Sequence, residues 1–246
     1  MGSFAQKSYE TWNSLLNNPY KPLFDKSTGG TFAPGSLYKP VIALAALENK
    51  IVNRNTKHTC LGKFTLGSGR FHCHRRRGHG ALDLKEAMAK SCDVFFYELG
   101  VRLGVEEIAR FAKSFHLGST LGLGLNYENP GLIPTQRWAK ANNLSPLQVG
   151  DLPNLAIGQG ASLLTPLQMA SLYSSIANGG TVYQPYIVSK VRSSEGTVLY
   201  EHKDKILRTV DSVSKHNFLY MQDILEASVD SPEATGRRAR IPGISI

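Results

Sequence analysis

The sequence lacks any segment that resembles a membrane span. Its longest apolar run covers residues 41–47, far short of the roughly 20 residues that a spanning helix requires. A signal peptide, internal repeats and low-complexity blocks are absent too, and the composition excludes fibrous and disordered proteins. Because Met1-Gly2-Ser3 resembles a remnant of cloning, a targeting segment or an anchor could have preceded the chain.

Cysteine is scarce as well, with Cys60, Cys73 and Cys92 the three in 246 residues. An odd number cannot all form disulfides, and a chain of this length buries enough apolar surface to fold without them. At about 150 residues per domain, the length allows one large domain or two small ones.

Positive charge is in excess, since 28 lysines and arginines face 19 aspartates and glutamates, a net charge of +9. The excess is concentrated at Arg70, at residues 75–77 and at 237–240. An anionic polymer is one partner compatible with this charge. A solvated loop is the simpler interpretation, because no aromatic residues are interleaved as they are on surfaces that stack RNA bases.

Apolar periodicity and capping signals divide the chain into helices, strands and irregular stretches. Helices are predicted over 36–50, 83–90, 94–103, 105–115, 165–177 and from Asp211 or Ser212 to 229. Strands are predicted over 181–192, 196–200 and 241–246, and irregular glycine-rich chain over 51–80 and 118–160. We therefore expect a linker and start at 1–20 and one α/β (α+β) domain at 21–246, with a helix-rich half and a sheet that the chain does not complete.

Ser36 lies at a predicted helix start with Lys39 three residues later, so the two side chains share one helical face. The positive end of the helix dipole favours an alkoxide and disfavours a protonated lysine. A partly desolvated Lys39 could therefore accept the proton of the Ser36 hydroxyl. S-x-x-K occurs by chance in many chains, and the alternative is that Ser36 caps the helix while Lys39 is solvated.

A second pair, Ser91 and Asp93, falls at a predicted helix junction within an apolar segment. A hydroxyl beside a Ser/Lys pair can pass a proton to a leaving amine, and a carboxylate can keep the lysine charged or orient it. The alternative is again structural, because serine and aspartate are common at helix starts.

A series of motifs supports the catalytic interpretation of both pairs. They are Pro34-Gly35-Ser36 with Lys39-Pro40, His79-Gly80, Ser91-Cys92-Asp93 followed by Val94-Phe95-Phe96-Tyr97, and residues 130–135, 157–160 and 165–170. In kind and order they resemble penicillin-binding protein 2, the class B monofunctional transpeptidase of cell elongation. The similarity runs from about residue 21 to the end, and it implies the penicillin-binding-protein/serine β-lactamase fold, a helix-rich half with an antiparallel sheet.

The resemblance also implies a role for each catalytic candidate. Ser36 would be the acylated nucleophile, Lys39 its general base and Ser91 the shuttle that delivers a proton to the departing D-alanine. Asp93 stands where the broader signature has asparagine, a replacement that is usual in the penicillin-binding protein 2 branch. Residues 158–160 would lie near the rim of the site, and backbone N–H groups, that of Ser36 among them, would form the oxyanion hole.

The third motif of the family, K-T-G, is absent from the sequence. Ala234-Thr235-Gly236 is not this motif, because it lacks the lysine and has the wrong place in the family's order. In relatives the motif follows directly on a segment like 241–246. We therefore expect a truncated transpeptidase domain that acylates slowly or not at all.

Cys60, Cys73, His79 and Cys92 suggest a metal site, because three thiolates and an imidazole suit a tetrahedral structural zinc. A metal would clip the glycine-rich loop 51–92, which has little core of its own. The spacing is not that of ordinary zinc fingers, and buried free cysteines, or one disulfide with a spare thiol, are the alternative. Other imidazoles compete as ligands: His58, His72 and His74.

The resemblance favours zinc, because penicillin-binding protein 2 of several Gram-negative bacteria carries zinc in this region. Some members have aspartates where this chain has Cys60 and Cys73. Cys92 lies between Ser91 and Asp93, so a metal bound to it would fix the second catalytic motif in place.

These observations predict a peptidoglycan D,D-transpeptidase that cross-links stem peptides through a Ser36 acyl-enzyme and is trapped by β-lactams. The partners implied by the resemblance are peptidoglycan stem peptides, the rod-shape glycosyltransferase and the scaffold proteins of elongation, with no nucleic acid. The implied location is the periplasm of a bacterium, where an N-terminal helix absent from this chain would tether the domain to the inner membrane.

Two other functions are compatible with parts of the sequence. A serine β-lactamase or β-lactam sensor shares Ser36 and Lys39, but it hydrolyses its acyl-enzyme or signals. A zinc-dependent nucleic-acid-binding module explains the cysteines, histidines and arginines, and it predicts salt-sensitive binding. That module gives no reason for Ser36 and Lys39 to lie at a helix start.

Overall fold

The computed structural model describes residues 2–125, 127–241 and 243, in which helices predominate. The helices are α1 (Gly2–Leu16), α2 (Lys39–Glu48), α3 (Leu84–Ala89), α4 (Asp93–Leu103), α5 (Val105–Ser114), α6 (Gln136–Ala141), α7 (Leu152–Ala156), α8 (Pro166–Ala177) and α9 (Lys215–Asp230). Short 3₁₀ turns cover Gly35–Tyr38, Val149–Asp151 and Arg237–Ala239. No helix within these described ranges is long and apolar enough to cross a membrane.

The strands form antiparallel pairs rather than one extended sheet. They are β1 (His58–Cys60), β2 (Lys63–Leu66), β3 (Gly69–His72), β4 (Gly80–Leu82), β5 (Thr181–Tyr183), β6 (Lys190–Arg192), β7 (Val198–Glu201) and β8 (Ile206–Thr209). β1 pairs with β4, β2 with β3, β5 with β8 and β6 with β7. The predicted mixture of helices and antiparallel strands is confirmed.

Helix α2 is the central helix of the molecule. Every side chain from Lys39 to Leu47 is buried, and α4, α5 and α9 pack around the helix. A helix that is apolar on all sides is stable only where other elements surround it. Among these buried residues Lys39 differs from its apolar neighbours, because it places a primary amine at the first position of the helix.

Two predicted capping signals are confirmed. Asp83 accepts the N–H of Glu86, whose own carboxylate accepts the N–H of Asp83, so a capping box begins α3. Thr165 and Gln168 form the same arrangement at the start of α8, and that helix ends at Ala177 as expected.

Two helices begin later than predicted. The first opens as the 3₁₀ turn Gly35–Tyr38, and α2 itself begins only at Lys39. Pro40 explains this order, because proline lacks an N–H and is tolerated in the first turn of an α-helix. The last helix follows Ser214, whose hydroxyl caps it, and not either of the residues predicted to do so.

Both stretches predicted to be irregular contain regular elements, so that prediction is wrong in part. Residues 51–80 include β1, β2, β3 and the first residue of β4, and residues 118–160 include α6 and α7. Strands of three or four residues are too short to show the alternation from which a strand is predicted. The strand predicted over 181–192 is divided into β5 and β6, which pair with different partners.

Predictions at the two ends of the chain have different outcomes. Residues 1–20, predicted as a linker and start, include α1, and the boundary at residue 21 stays a prediction. The strand predicted over 241–246 lies mostly outside the described residues.

Two glycines join the 3₁₀ turn that contains Ser36 to a distant loop. The N–H of Gly35 donates to Gly158 O at 2.8 Å. Gly158 has a φ of +68°, and a Cβ there would lie 2.3 Å from Gly35 O. Only glycine fits this contact, which fixes the position of the turn.

We expect Gly158→Ala to lower the free energy of unfolding by about 2–4 kcal/mol, because it combines a left-handed backbone with a steric clash. Gly67→Ala is the matched control, since Gly67 has a φ of +57° and a methyl group added there would meet nothing within 4 Å. The control should lose only about 1 kcal/mol. Urea denaturation followed by circular dichroism measures both, and equal losses would contradict the close contact.

Candidate active site

The proposed nucleophile and a buried amine are joined through one intervening side chain. Lys39 Nζ lies 3.0 Å from Ser91 Oγ, and Ser91 Oγ lies 2.9 Å from Ser36 Oγ. Ser36 lies in the turn that leads into α2, Lys39 is the first residue of α2, and Ser91 comes from the connection between α3 and α4. A proton can therefore pass between Ser36 and Lys39 through a single hydroxyl group.

The expected direct contact between Ser36 and Lys39 is replaced by this relay. Within the part of the chain that the structure describes, Lys39 Nζ donates to Ser91 O at 2.9 Å, to Ser91 Oγ and to Asp93 Oδ1 at 2.8 Å. An ammonium group has three donors, and each needs an acceptor when the group is buried. Ser91, in the connection between α3 and α4, supplies two of these acceptors and Asp93, the first residue of α4, supplies the third. The Lys39 side chain is therefore directed toward the start of α4.

Burial and an ion pair act in opposite directions on the charge of Lys39. The side chain is 1% exposed, and burial lowers the pKa of Lys39 below that of free lysine although the Asp93 charge opposes the shift. Burial also raises the pKa of the Asp93 carboxyl, but Lys39 and hydrogen bonds from His74 outweigh it and leave that pKa lowered. Asp93 is thus an anion, and Lys39 releases its proton more readily than a solvated lysine.

The structural alternative is wrong for Ser36 and Lys39, and for the second pair it holds only in that α4 begins at Asp93. The residues that precede α2 and α4 are Tyr38 and Cys92, and no side chain caps either helix. Ser36 and Asp93 are therefore not capping residues, and Lys39 is buried rather than solvated.

Ser91 has a backbone conformation that favours glycine. Its φ is +49°, in the left-handed region. The N–H of Ser91 donates to Met88 O at 2.9 Å, and that of Cys92 donates to Ala87 O at 2.8 Å. These two bonds form a Schellman motif that ends α3, in which glycine is the usual residue. The side chain of Ser91 therefore has a role other than forming the turn.

The four predicted metal ligands converge. One ligand atom from each of Cys60, Cys73, His79 and Cys92 lies within 4.8 Å of the others. Tetrahedral zinc with Zn–S bonds of about 2.3 Å places its ligands about 3.8 Å apart, so these residues fit that ion. All three cysteines are buried and free, a state that agrees both with metal ligands and with the alternative of buried free cysteines.

The competing imidazoles are outside this group of four. His58 is 2.5 Å from a carboxylate of α4, and His72 belongs to no possible ligand group among the described residues. His74 Nδ1 lies 3.8 Å from Cys73 Sγ and 3.3 Å from Asp93 Oδ2, so these three residues form a second, overlapping group.

Cys73 occupies a position that favours the thiolate. A hydrogen bond from the Cys92 thiol, assisted by backbone N–H groups, lowers the pKa of Cys73 to about 4 against the effect of burial. These N–H groups belong to Arg75, Asp93 and Val94, the last two in the first turn of α4. The helix dipole also favours an anion there, and the thiolate is the form that binds a metal.

Two cavities open beside Ser36. The larger, of about 780 Å³, is lined mainly by side chains of α8 and α9. The smaller, of about 720 Å³, is lined by Ser91, Asp93 and Gln159 as well as by residues near the cysteine cluster. Gln159 therefore lies at the rim of the site, as the resemblance implied.

Comparison with known proteins identifies the family. A family model described as the penicillin binding protein transpeptidase domain matches residues 4–246. The chain belongs to this family. Peptidoglycan D,D-transpeptidase MrdA of Haemophilus influenzae is 32% identical over 202 residues, which are 81% of this chain and 31% of that protein. This transpeptidase domain thus spans about a third of that relative's length.

Solved structures confirm the fold of the transpeptidase domain. Penicillin-binding protein PBP2 from Helicobacter pylori has a TM-score of 0.85 at 25% identity and covers 96% of this chain and 43% of its own. A chain of a peptidoglycan synthase complex that couples polymerization and crosslinking is 28% identical, with a TM-score of 0.78 and coverage of 93% and 37%. The nucleic-acid-binding alternative finds no support among these relatives.

Thr235 is a residue of the transpeptidase cleft that sequence analysis did not identify. It follows α9, lines both cavities and donates its N–H to Ala89 O at 3.0 Å. The segment around it lacks periodic apolar residues, so no pattern in the sequence places it beside Ser36. Ala234-Thr235-Gly236 is thus part of the cleft wall although it is not the K-T-G motif.

We expect Ser91→Gly and Ser91→Ala both to slow acylation by a penicillin at least 100-fold, because each removes the hydroxyl between Ser36 and Lys39. Their stabilities should differ, with the glycine variant about 1 kcal/mol more stable than the alanine variant at this positive φ. Stopped-flow acylation with a fluorescent penicillin and thermal denaturation measure the two effects. Normal acylation by either variant would exclude the relay.

Proposed function

We propose that this transpeptidase domain cross-links peptidoglycan stem peptides through an acyl-enzyme on Ser36, in cell elongation and rod-shape maintenance. The observation that carries the proposal is the relay from Ser36 through Ser91 to Lys39, whose pKa burial lowers. The similarity to the Haemophilus influenzae transpeptidase supports the choice of substrate.

Acylation begins when uncharged Lys39 accepts a proton from Ser91, while Ser91 accepts the proton of Ser36. The Ser36 oxygen forms a bond to the carbonyl carbon of the penultimate D-alanine. Collapse of the tetrahedral intermediate breaks the bond to the terminal D-alanine. Lys39 then returns its proton to Ser91, whose hydroxyl delivers a proton directly to the departing amine. The Ser91 hydroxyl hydrogen rotates, so the same group serves both directions.

Transfer of the acyl group completes the reaction. An amine on a neighbouring stem attacks the ester carbonyl, loses a proton to the relay and releases Ser36. Asp93 takes no proton in this scheme. Its carboxylate holds the Lys39 amine in position through the 2.8 Å contact and supplies the negative charge that offsets the protonated amine after each transfer.

β-Lactams would acylate the same serine, and they provide the direct test. Intact mass of the full-length protein after incubation with a labelled penicillin should show one adduct per chain, and peptide mapping should place it on Ser36. An adduct on another residue would overturn the proposal. An adduct that persists for many minutes argues against a β-lactamase, which would hydrolyse it quickly.

We expect the acylation rate of the chain to rise with pH, because Lys39 must be uncharged. Burial lowers the pKa of Lys39, so this rise should lie below the value of about 10.4 at which free lysine titrates. The Asp93 charge raises the pKa of Lys39, so Asp93→Asn should move the rise to lower pH by about one unit or more.

The acylation rate with a labelled penicillin, measured at a series of pH values from about 5 to about 10, shows this shift. Glu195→Gln is the control, because Glu195 is an exposed acid in the turn between β6 and β7. A rise that moves to higher pH in Asp93→Asn would contradict the assignment of Lys39 as the base.

We also propose that Cys60, Cys73, His79 and Cys92 hold a structural zinc ion. The convergence of four buried or half-buried ligand atoms supports this proposal, as does the environment that lowers the pKa of Cys73. Zinc would supply a cross-link between the loop that carries β1 to β4 and the start of α4. It would take no part in acyl transfer.

Cys92→Ser tests the zinc proposal, because a hydroxyl is a poor zinc ligand. We expect the zinc content of the purified chain to fall from about one per chain toward zero, and acylation to slow. His72→Gln is the control, because His72 is exposed and outside the group of four. Unchanged zinc in Cys92→Ser, measured by elemental mass spectrometry, would exclude this site.

The proposed setting is the periplasmic face of a bacterial inner membrane. The H. influenzae relative and the synthase-complex chain are longer than this domain, and their names connect them to peptidoglycan synthesis. We infer that the whole protein works with a rod-shape glycosyltransferase and with scaffold proteins of elongation. Co-purification of the full-length protein with a membrane glycosyltransferase is the test.

A further inference from the structure

The smaller cavity beside Ser36 has a wall that carries positive charge. Its lining combines catalytic side chains with side chains from the end of β3 and the loop that follows: Ser36, Ser91, Asp93, His72, His74 and Arg76. The volume of about 720 Å³ leaves room for several residues of a peptide next to the nucleophile. The loop therefore forms part of the surface that a bound substrate meets.

The carboxylate that lines this cavity is already paired, and the Cys73 thiol in the same lining belongs to the cysteine cluster. Asp93 is the acid in its lining, and Oδ1 accepts from Lys39 while Oδ2 accepts the N–H of His74 at 3.0 Å. Arg76 has no carboxylate partner among the ion pairs of the described residues. Its charge is thus available to a ligand.

The backbone around Arg76 is fixed by close contacts. A Cβ at Gly62 would lie 2.0 Å from Arg76 O, so the two backbones touch. The N–H of Gly78 donates to Arg75 O at 2.9 Å, and the N–H of His79 donates to Cys60 O at 3.0 Å. The loop is thereby held in place before any ligand binds, which reduces the entropy lost on binding.

From this geometry we infer that Arg76 binds a carboxylate of the stem peptide whose carbonyl reacts with Ser36. The inference rests on the proposed function. A guanidinium group is planar and pairs with a carboxylate through two parallel hydrogen bonds, so it selects that group over a neutral amide. Arg76 would then position the stem and contribute to specificity without touching the reacting bond.

A stem peptide can supply this carboxylate from two places. One is the free carboxylate of the γ-linked D-glutamate at the second position, and the other is the second carboxylate of a diamino diacid at the third position. Arg76 would recognise a carboxylate in either case. Amidation of each carboxylate in turn distinguishes the two positions.

The test measures binding of synthetic pentapeptides ending in D-Ala-D-Ala to the intact chain by ligand-observed NMR. Four peptides are compared: the dicarboxylate, each monoamide and the diamide. The wild type and Arg76→Gln are titrated with all four, and Arg77→Gln is the matched control because Arg77 is an exposed neighbour outside this cavity.

We expect Arg76→Gln to weaken binding of the dicarboxylate about 5- to 10-fold, as for a partly exposed charged hydrogen bond. Amidation of the recognised carboxylate should cause the same loss in the wild type and no further loss in Arg76→Gln, and Arg77→Gln should bind like the wild type. Equal binding of all four peptides, equal effects of the two arginine variants, or no binding of the dicarboxylate would each overturn the inference.

Acylation by a labelled penicillin separates this inference from the proposed function. If the wild type forms the Ser36 adduct but its peptide binding ignores amidation, the Arg76 site is wrong and the proposed function stands. If the wild type forms no adduct on Ser36, the proposed function fails first.

Discussion

A primary amine buried beside a carboxylate is the interaction on which the arrangement of this active site depends. Lys39 lies at the start of an otherwise apolar helix, where a lone charge would be strongly unfavourable. Its three hydrogen bonds therefore determine where the connection between α3 and α4 must lie. Once that connection is fixed, the Ser91 hydroxyl lies between the amine and Ser36. The chemistry of the nucleophile thus follows from the need to satisfy one buried group.

The cysteine cluster and the catalytic residues share the same short segments of chain. Cys92 separates Ser91 from Asp93, and Cys73 is followed by His74, whose N–H donates to Asp93. The two oxygens of that carboxylate are thus held from different sides, one by α2 and one by the loop after β3. A displacement of the cysteine cluster would therefore alter the position of the Asp93 carboxylate and, through it, that of the Lys39 amine. No metal ligand needs to contact Ser36 for this effect.

Much of this site could be predicted from the sequence because its signals are local. The Asp83 capping box depends on residue type and short spacing, the four metal-ligand candidates are distinguished by residue type within residues 60–92, and the motif series indicated the family. The contact between Ser91 and Ser36 could not be predicted, since it depends on how two separate turns meet. Thr235 was missed for the same reason, and the strands of residues 51–80 are too short for periodicity to reveal.

The contact between Gly35 and Gly158 has a consequence for how this cleft can vary. Main-chain atoms form it, so substitutions elsewhere around the cleft can alter size and charge without displacing the nucleophile. Substitutions at most positions around the cleft can therefore change which ligand binds while the reactivity of Ser36 is retained. Gly158 is the exception, because any side chain there would separate the backbones that meet at this contact.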